Sequence, residues 1–261
     1  LRVFHRTFLA MNTRLSLVIP GLDADRGESL SAGIERYVRG REAVMSRFDG
    51  GLVANINSRA NEAPVEVPEQ LWEILAMCRH HWENTNGLFD IARGRMASVA
   101  FDDRRQAVRF TAPDVFFDLG GIGKGIALKG VEMLLRRQGI ESALVSFGES
   151  SILALGEHPE GGAWRVGLAA NAKMDFALSN EALSASGQTQ GSEHIIDPQH
   201  GGWASGPALL AVASACPIEA EVLSTALYIA APAARAEIIS RYSKIRWREL
   251  PAGDKSNGMV P

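Results

Sequence analysis

Residues 115–130, VFFDLGGIGKGIALKG, carry the densest chemical signal in the chain. An apolar run leads into Asp118, Gly120, Gly121, Gly123 and Gly125 follow with Lys124 among them, and a helical pattern begins directly after. Backbone that lacks Cβ lets a ligand come close. Free N–H groups at a helix start attract anions, and a lysine in the same loop adds a point charge for phosphate. The two common phosphate patterns are absent: a Walker loop needs glycine where Asp118 stands, and a GxGxxG pattern starting at Gly121 needs glycine where Ile126 stands. A phosphate-compatible loop and a tight strand-to-helix turn packed on a sheet are both open readings.

Two more segments hold reactive types. In PIEAEVLSTALYIA (217–230), Glu221 and Thr225 are four apart and share one helix face. A carboxylate with a hydroxyl one turn away suits a hard cation such as Mg²⁺, which keeps several waters and also takes phosphate oxygens. The same spacing is common in helices that bind nothing. In SASGQTQGSEHIIDPQHGG (184–202), His194 could act as a general base near a loop or as a structural hydrogen-bonder. Asp197, three residues on, would face the other side of a strand, so the two are not an obvious pair. His80 and His81 show no ligand spacing and read as surface or capping residues.

The elements that must position these residues alternate without a regular βαβ rhythm. Residues 3–19 alternate β-formers and read as one or two strands. A helix over 28–47 puts Leu30, Ile34, Val38, Arg41 and Met45 near one face. Residues 49–67 show little periodicity. Pro68 opens a helix whose stripe is Leu71, Ile74, Leu75, Cys78 and Trp82, ended by Asn86-Gly87. Short strands fill 97–118, with a turn at Asp102-Asp103. The helix after the glycine loop runs to about residue 138, where Gly139 closes it. Strands follow at 142–147, 151–156, 164–169 and 209–215, two helices flank Pro232, and a last strand spans 244–250. The pattern predicts an α+β fold in one domain over 1–261, with a tail from about 253.

Composition excludes several classes. Of 26 glycines in 261 residues, eleven fall within 120–167, with no three-residue period for collagen. A hydrophobic share of 46% with a net charge of −3 argues against a disordered chain. No apolar run reaches the ~18 residues of a membrane span. With 27 basic and 30 acidic residues there is no nucleic-acid footprint. Two isolated cysteines give neither a disulfide framework nor zinc spacing. No leader or lipid-accepting cysteine is visible near the start. The expected location is therefore the cytoplasm, or the periplasm if a leader or lipid anchor was removed.

Seven segments in order resemble the ApbE family of FAD:protein FMN transferases. They are AMNT (10–13), MSRF (45–48) with Val53, Ile56 and Asn57, TNGLFD (85–90), DLGGIGKG (118–125), LVSFGESSILALG (144–156), HIIDP (194–198) and EVLSTAL (221–227). DLGGIGKG is the most specific of them, and the resemblance covers about residues 4–250. It implies mixed or antiparallel sheets with flanking helices and a flavin cleft between lobes. It implies transfer of FMN from FAD to a Thr or Ser hydroxyl of an acceptor flavoprotein, with AMP released and Mg²⁺ required. It would set Glu221, Thr225 and the Gly123 carbonyl on the cation. Met11, Asp118, Gly120, Gly121, Lys124, Gly148 and His194 would lie against FAD, with His194 and Lys124 as catalytic residues. A homodimer is left open.

The chain departs from the family pattern at several points. Glu221 stands for Asp, Ile126 and Lys129 stand in the usual KGYAxD, Asn12 stands for Gly in AMGT, and Gly51 replaces a polar residue. Residues 91–117 form a shorter stretch than usual, and Gln188 stands for Tyr. Two alternatives to transfer follow: an FAD pyrophosphatase that uses water as acceptor, and an FAD-binding protein without turnover.

Overall fold

The computed structural model describes residues 2–48, 50–168, 174–187 and 195–251. The chain opens on a hairpin of β1 (Val3–Ala10) and β2 (Thr13–Pro20). Met11 (φ 50°) and Asn12 (φ 57°) form its two-residue turn. Two successive left-handed residues match the twist of the flanking strands, and Asn tolerates that conformation. The Asn12 departure is therefore compatible with the turn.

Helix α1 (Ala24–Met45) follows, capped by Asp23, whose carboxylate accepts from the Arg26 N–H at 2.9 Å. That cap starts the helix four residues ahead of the expected position. Next come α2 (Leu52–Arg59), β3 (Val65–Glu66), α3 (Glu69–Asn84), β4 (Val99–Asp102) and β5 (Ala107–Phe110). Helix α2 lies in the stretch that shows little periodicity. Its eight residues carry only two buried positions, Val53 and Ile56, too few for a visible stripe. Helix α4 (Gly123–Arg137) leads into β6 (Ala143–Phe147), β7 (Ser151–Leu155), β8 (Trp164–Leu168), β9 (Met174–Leu178) and β10 (Glu181–Gly187). Then come β11 (Leu209–Ser214), α5 (Pro217–Ile229), α6 (Pro232–Ser240) and β12 (Arg246–Leu250). Among the described residues of HIIDP, pairing is limited to an isolated bridge between Ile196 and Trp203.

The main sheet has seven strands in the order β1-β2-β6-β7-β10-β11-β12, every neighbouring pair antiparallel. Helices α1, α4 and α5 pack along it. Leu15, Leu17, Val145 and Phe147 from the strands meet Ile34, Val38, Leu128 and Val131 from the helices. The hairpin β8–β9 forms a second core with β7, β10 and β11. There Trp164, Val166 and Phe176 pack with Ile152, Ala154, Leu183 and Ala211. A third core joins α2, α3, the small sheet β3-β5-β4 and the outer side of α5, through Leu71, Leu75, Phe110, Phe117 and Leu223. The architecture is the α+β arrangement of antiparallel sheets and flanking helices that the sequence predicts. Both cysteines are free. Among the described residues no helix is long and apolar enough to cross a membrane. The expected tail lies outside the described residues.

Candidate active site

Helices α4 and α5 touch at a glycine. A Cβ on Gly125 would stand 2.8 Å from the Pro217 carbonyl oxygen, 2.8 Å from Glu221 Cγ and 3.0 Å from Ile218 Cα. The two backbones can approach this closely only because no side chain intervenes. That approach brings Lys124, on the first turn of α4, beside Glu221 on α5. Lys124 Nζ lies 3.2 Å from Glu221 Oε2, and the carboxylate is only 4% exposed. A carboxylate buried to this degree requires partners, and the sheet supplies the rest. Ser151 and Ser184 are direct cross-strand neighbours on β7 and β10, and both hydroxyls donate to Glu221 Oε1, Ser184 at 2.9 Å. Ser184 and Ser224 hydroxyls lie 3.1 Å apart, Ser186 donates to Ser224 at 3.0 Å, and Ser224 donates to the Glu221 carbonyl at 3.0 Å.

This network forms the polar floor of a cavity of about 790 Å³, within the usual range for a small-molecule site. Lys124, Glu221, Ser184, Ser186, Ser224 and Thr225 line the floor. Leu88, Phe89 and Ile91 supply an apolar wall, with Ile195 and Ile196 also on the lining. Gly148 (φ 66°) and Glu149 (φ 62°) turn β6 into β7 at the rim. A Cβ on Gly148 would meet Thr13 Oγ1 at 2.9 Å, so glycine serves both the turn and the packing.

The glycine loop is held more firmly than an open anion cradle would be. The Asp118 carboxylate accepts from the Gly120 N–H at 3.0 Å and pairs with Arg93 at 2.6 Å and Arg47 at 3.4 Å. Its own N–H donates to the Ile91 carbonyl at 2.8 Å. The N–H groups of Ile122 and Gly123 donate to the Leu119 carbonyl. Four loop amides, those of Asp118, Gly120, Ile122 and Gly123, therefore already have partners. Among the described residues, the positive charge on the cavity lining sits on Lys124 and Arg93.

The expected site residues separate into three groups. Asp118, Gly120, Gly121, Lys124, Gly148, Glu221 and Thr225 meet around the one cavity. Met11 and Gly123 pack on each other behind it, where a Cβ on Gly123 would lie 3.8 Å from Met11 Sδ, and the Met11 N–H donates to Glu42 at 2.9 Å. His194 lies outside the described residues, as does Gln188. The sequence reading missed the serines, Arg93 and Asp90. Asp90 lines the cavity and accepts from the N–H groups of Ala92 at 2.6 Å and Met96 at 3.2 Å. Burial pushes its carboxyl above the usual range, against those hydrogen bonds. Its position at the end of TNGLFD was the available signal.

One expectation is corrected. His80 is exposed and bonds Asn84, but His81 is buried, with Nδ1 3.0 Å from the Tyr242 hydroxyl and the two rings stacked. Tyr242 comes from a segment 161 residues away, so its packing on α3 is invisible in local sequence.

Comparison with known proteins identifies the family and the fold. The ApbE family model matches residues 11–247. The FAD:protein FMN transferase of Escherichia coli (strain K12) is 24% identical over 88% of this chain and 79% of that protein. The enzyme of the same name from Klebsiella pneumoniae (strain 342) is 22% identical over 73% of this chain and 68% of its own length. Among solved structures, the ApbE protein of Thermotoga maritima superposes with a TM-score of 0.80 at 20% identity, covering 95% of this chain and 97% of that one. Flavin transferase ApbE from Vibrio cholerae gives 0.81 at 17% identity, covering 97% and 94%. With its cavity built from the segments that carry the resemblance, and with the family model matched along nearly its whole length, the chain belongs to the ApbE family.

Proposed function

We infer that this protein transfers FMN from FAD to a Thr or Ser hydroxyl of an acceptor flavoprotein and releases AMP, with Mg²⁺ as cofactor. The observation that carries the reading is the meeting of Lys124, Glu221 and Thr225 on the floor of one cavity, in a chain whose relatives are named FAD:protein FMN transferases.

The residues fit a magnesium site that draws few of its ligands from the protein. Among the described residues no group of three or more His, Cys, Asp or Glu could hold a metal. Mg²⁺ does not require one, since it is commonly held by one or two carboxylates plus waters and substrate phosphates. Glu221 and Thr225 would hold it, with the Gly123 carbonyl as the third ligand that the resemblance implies. When bound, it would neutralise charge on the pyrophosphate as the bridging bond breaks.

The chain's own residues do the positioning. Lys124 supplies a mobile ammonium for a phosphate oxygen. Arg93, on the same lining, can turn from Asp118 to a second phosphate. Leu88, Phe89 and Ile91 keep water away from the reacting bond, which strengthens every charge interaction on the floor. The acceptor oxygen attacks the FMN phosphorus, the bond to the AMP phosphate breaks, and AMP carries away the electron pair. The hydroxyl proton goes to a base, the role the resemblance implies for His194. Phosphoryl transfer of this type depends mainly on alignment and charge neutralisation.

The test is incubation with FAD, Mg²⁺ and a candidate acceptor domain, followed by intact-protein mass measurement. The expected result is acceptor carrying one FMN, with equimolar AMP. AMP and free FMN without adduct would identify a pyrophosphatase. FAD binding unaffected by EDTA, with no AMP formed, would identify a binding protein and overturn the reading.

A further inference from the structure

Glu221 has no oxygen left over. Oε1 accepts from Ser151 and Ser184, and Oε2 faces the Lys124 ammonium at 3.2 Å. Nor can the side chain readily shift. Its Cγ is packed against the Gly125 position, where even a Cβ would come within 2.8 Å. The two serines are fixed opposite each other by the β7–β10 register. Lys124 is the adaptable partner. It is 24% exposed against 4% for Glu221, and it has a four-carbon stem that lets the charge swing.

Resting on the reading of this cavity as a pyrophosphate and divalent-cation site, we propose that Lys124 makes cation binding conditional on the pyrophosphate. Without an anion in the cavity, the ammonium holds Oε2. A divalent ion arriving there would have to share one carboxylate oxygen with a second cation. Their repulsion is strong on a floor largely withdrawn from water. A pyrophosphate in the cavity supplies oxygens that draw Lys124 off Glu221. Oε2 then becomes free, and the phosphate oxygens complete the ion's shell. The local charge also balances: carboxylate and ammonium cancel in the resting site, and a divalent ion alone would leave it strongly positive. The incoming pyrophosphate removes that excess. Because coupling is reciprocal, the ion must tighten nucleotide binding by the same factor.

The test uses Mn²⁺ as the probe ion, titrated into the full chain by calorimetry or electron paramagnetic resonance, with and without FAD and with no acceptor present. For the unaltered protein, FAD is expected to tighten Mn²⁺ binding by a factor of about 5 to 150, the usual span of such coupling. In Lys124→Met, Mn²⁺ alone should bind tighter than to the unaltered protein by a factor in that span, and FAD should tighten it less than in the unaltered protein, by the part that phosphate ligation alone supplies. Lys124→Arg keeps the charge and should keep the exclusion. Equal Mn²⁺ affinity with and without FAD, or a Lys124→Met protein no tighter than the original, overturns the proposal. If Lys124→Met fails to melt as a folded protein, the polar, uncharged Lys124→Gln decides. It also removes the ammonium from Oε2, so Mn²⁺ affinity without FAD should rise, and no rise overturns the proposal. FMN transfer is scored separately. Loss of the transfer reading with Lys124-dependent Mn²⁺ binding intact removes the function and leaves the exclusion standing. The reverse result removes only the exclusion.

Discussion

Glu221 shows how a single residue can depart from its family's pattern and still be accommodated. The family resemblance has Asp at this position, and the extra methylene is met by the bare backbone of Gly125 and by two serine hydroxyls on the sheet. Replacing the carboxylate by an amide keeps the volume and removes the charge that holds Lys124. Glu221→Gln is therefore expected to lower FMN transfer by about 10²- to 10³-fold, the usual cost of losing one preorganised electrostatic partner, with the protein still folded by circular dichroism. Transfer within about threefold of the original would remove Glu221 from the reacting centre. Lys124 was legible in sequence as a lysine inside a glycine-rich loop, and Glu221 and Thr225 as a carboxylate and a hydroxyl one helical turn apart. Ser151, Ser184 and Ser224 were not. Serine is common, and its partnership with Glu221 depends on a strand register joining residues 33 positions apart, Ser151 opposite Ser184.

At the scale of elements, the glycine excess turns out to serve two ends. Gly120 belongs to the loop whose turn Asp118 holds, whereas Gly125 belongs to a helix crossing. Any side chain there must push α4 away from α5. Gly125→Ala should cost about 1–3 kcal/mol, the typical range for overpacking, and should lower the melting temperature by several degrees. An unchanged melting temperature would show that the helices separate freely. The same position bears on function, since separating α4 from α5 moves Lys124 from Glu221. Of the elements themselves, the long helices and the strong strands could be read directly from periodicity. Helix α2 and strand β10 could not. The first is held by two buried residues and by Gly51, whose Cβ would collide with the Ser46 carbonyl. The second, EALSASG, consists mostly of small or polar residues. Its burial comes from α5 on one face of the sheet and the β8–β9 hairpin on the other, with β7 and β11 pairing its backbone.

The whole molecule joins its distant parts through a buried titratable contact. His81 of α3 stacks on Tyr242, and burial lowers its pKa from 6.5 to about 4, with the charge of His80 adding to the effect. The unfolded chain therefore binds a proton that the folded chain refuses. Stability from this source is complete above about pH 6.5 and declines as pH falls toward about 4. A shift of this size corresponds to about 3 kcal/mol at most. Denaturant melts between pH 7 and pH 4 should show that slope, and His81→Phe should flatten it; an equal slope in both proteins would assign the acid sensitivity elsewhere. The sheet has a consequence on a slower timescale. Strand β7 is buried at all five positions because α4 and α5 lie on one side and the β8–β9 hairpin on the other. Its amides, with those of β11, should exchange with deuterium only through global opening, while those of the outer strands β1 and β12 exchange through local fraying. The serines that seat Glu221 then stand on the slowest-opening part of the protein. The turn at Gly148 and Glu149 on the cavity rim can open many times without disturbing the charged floor beneath it.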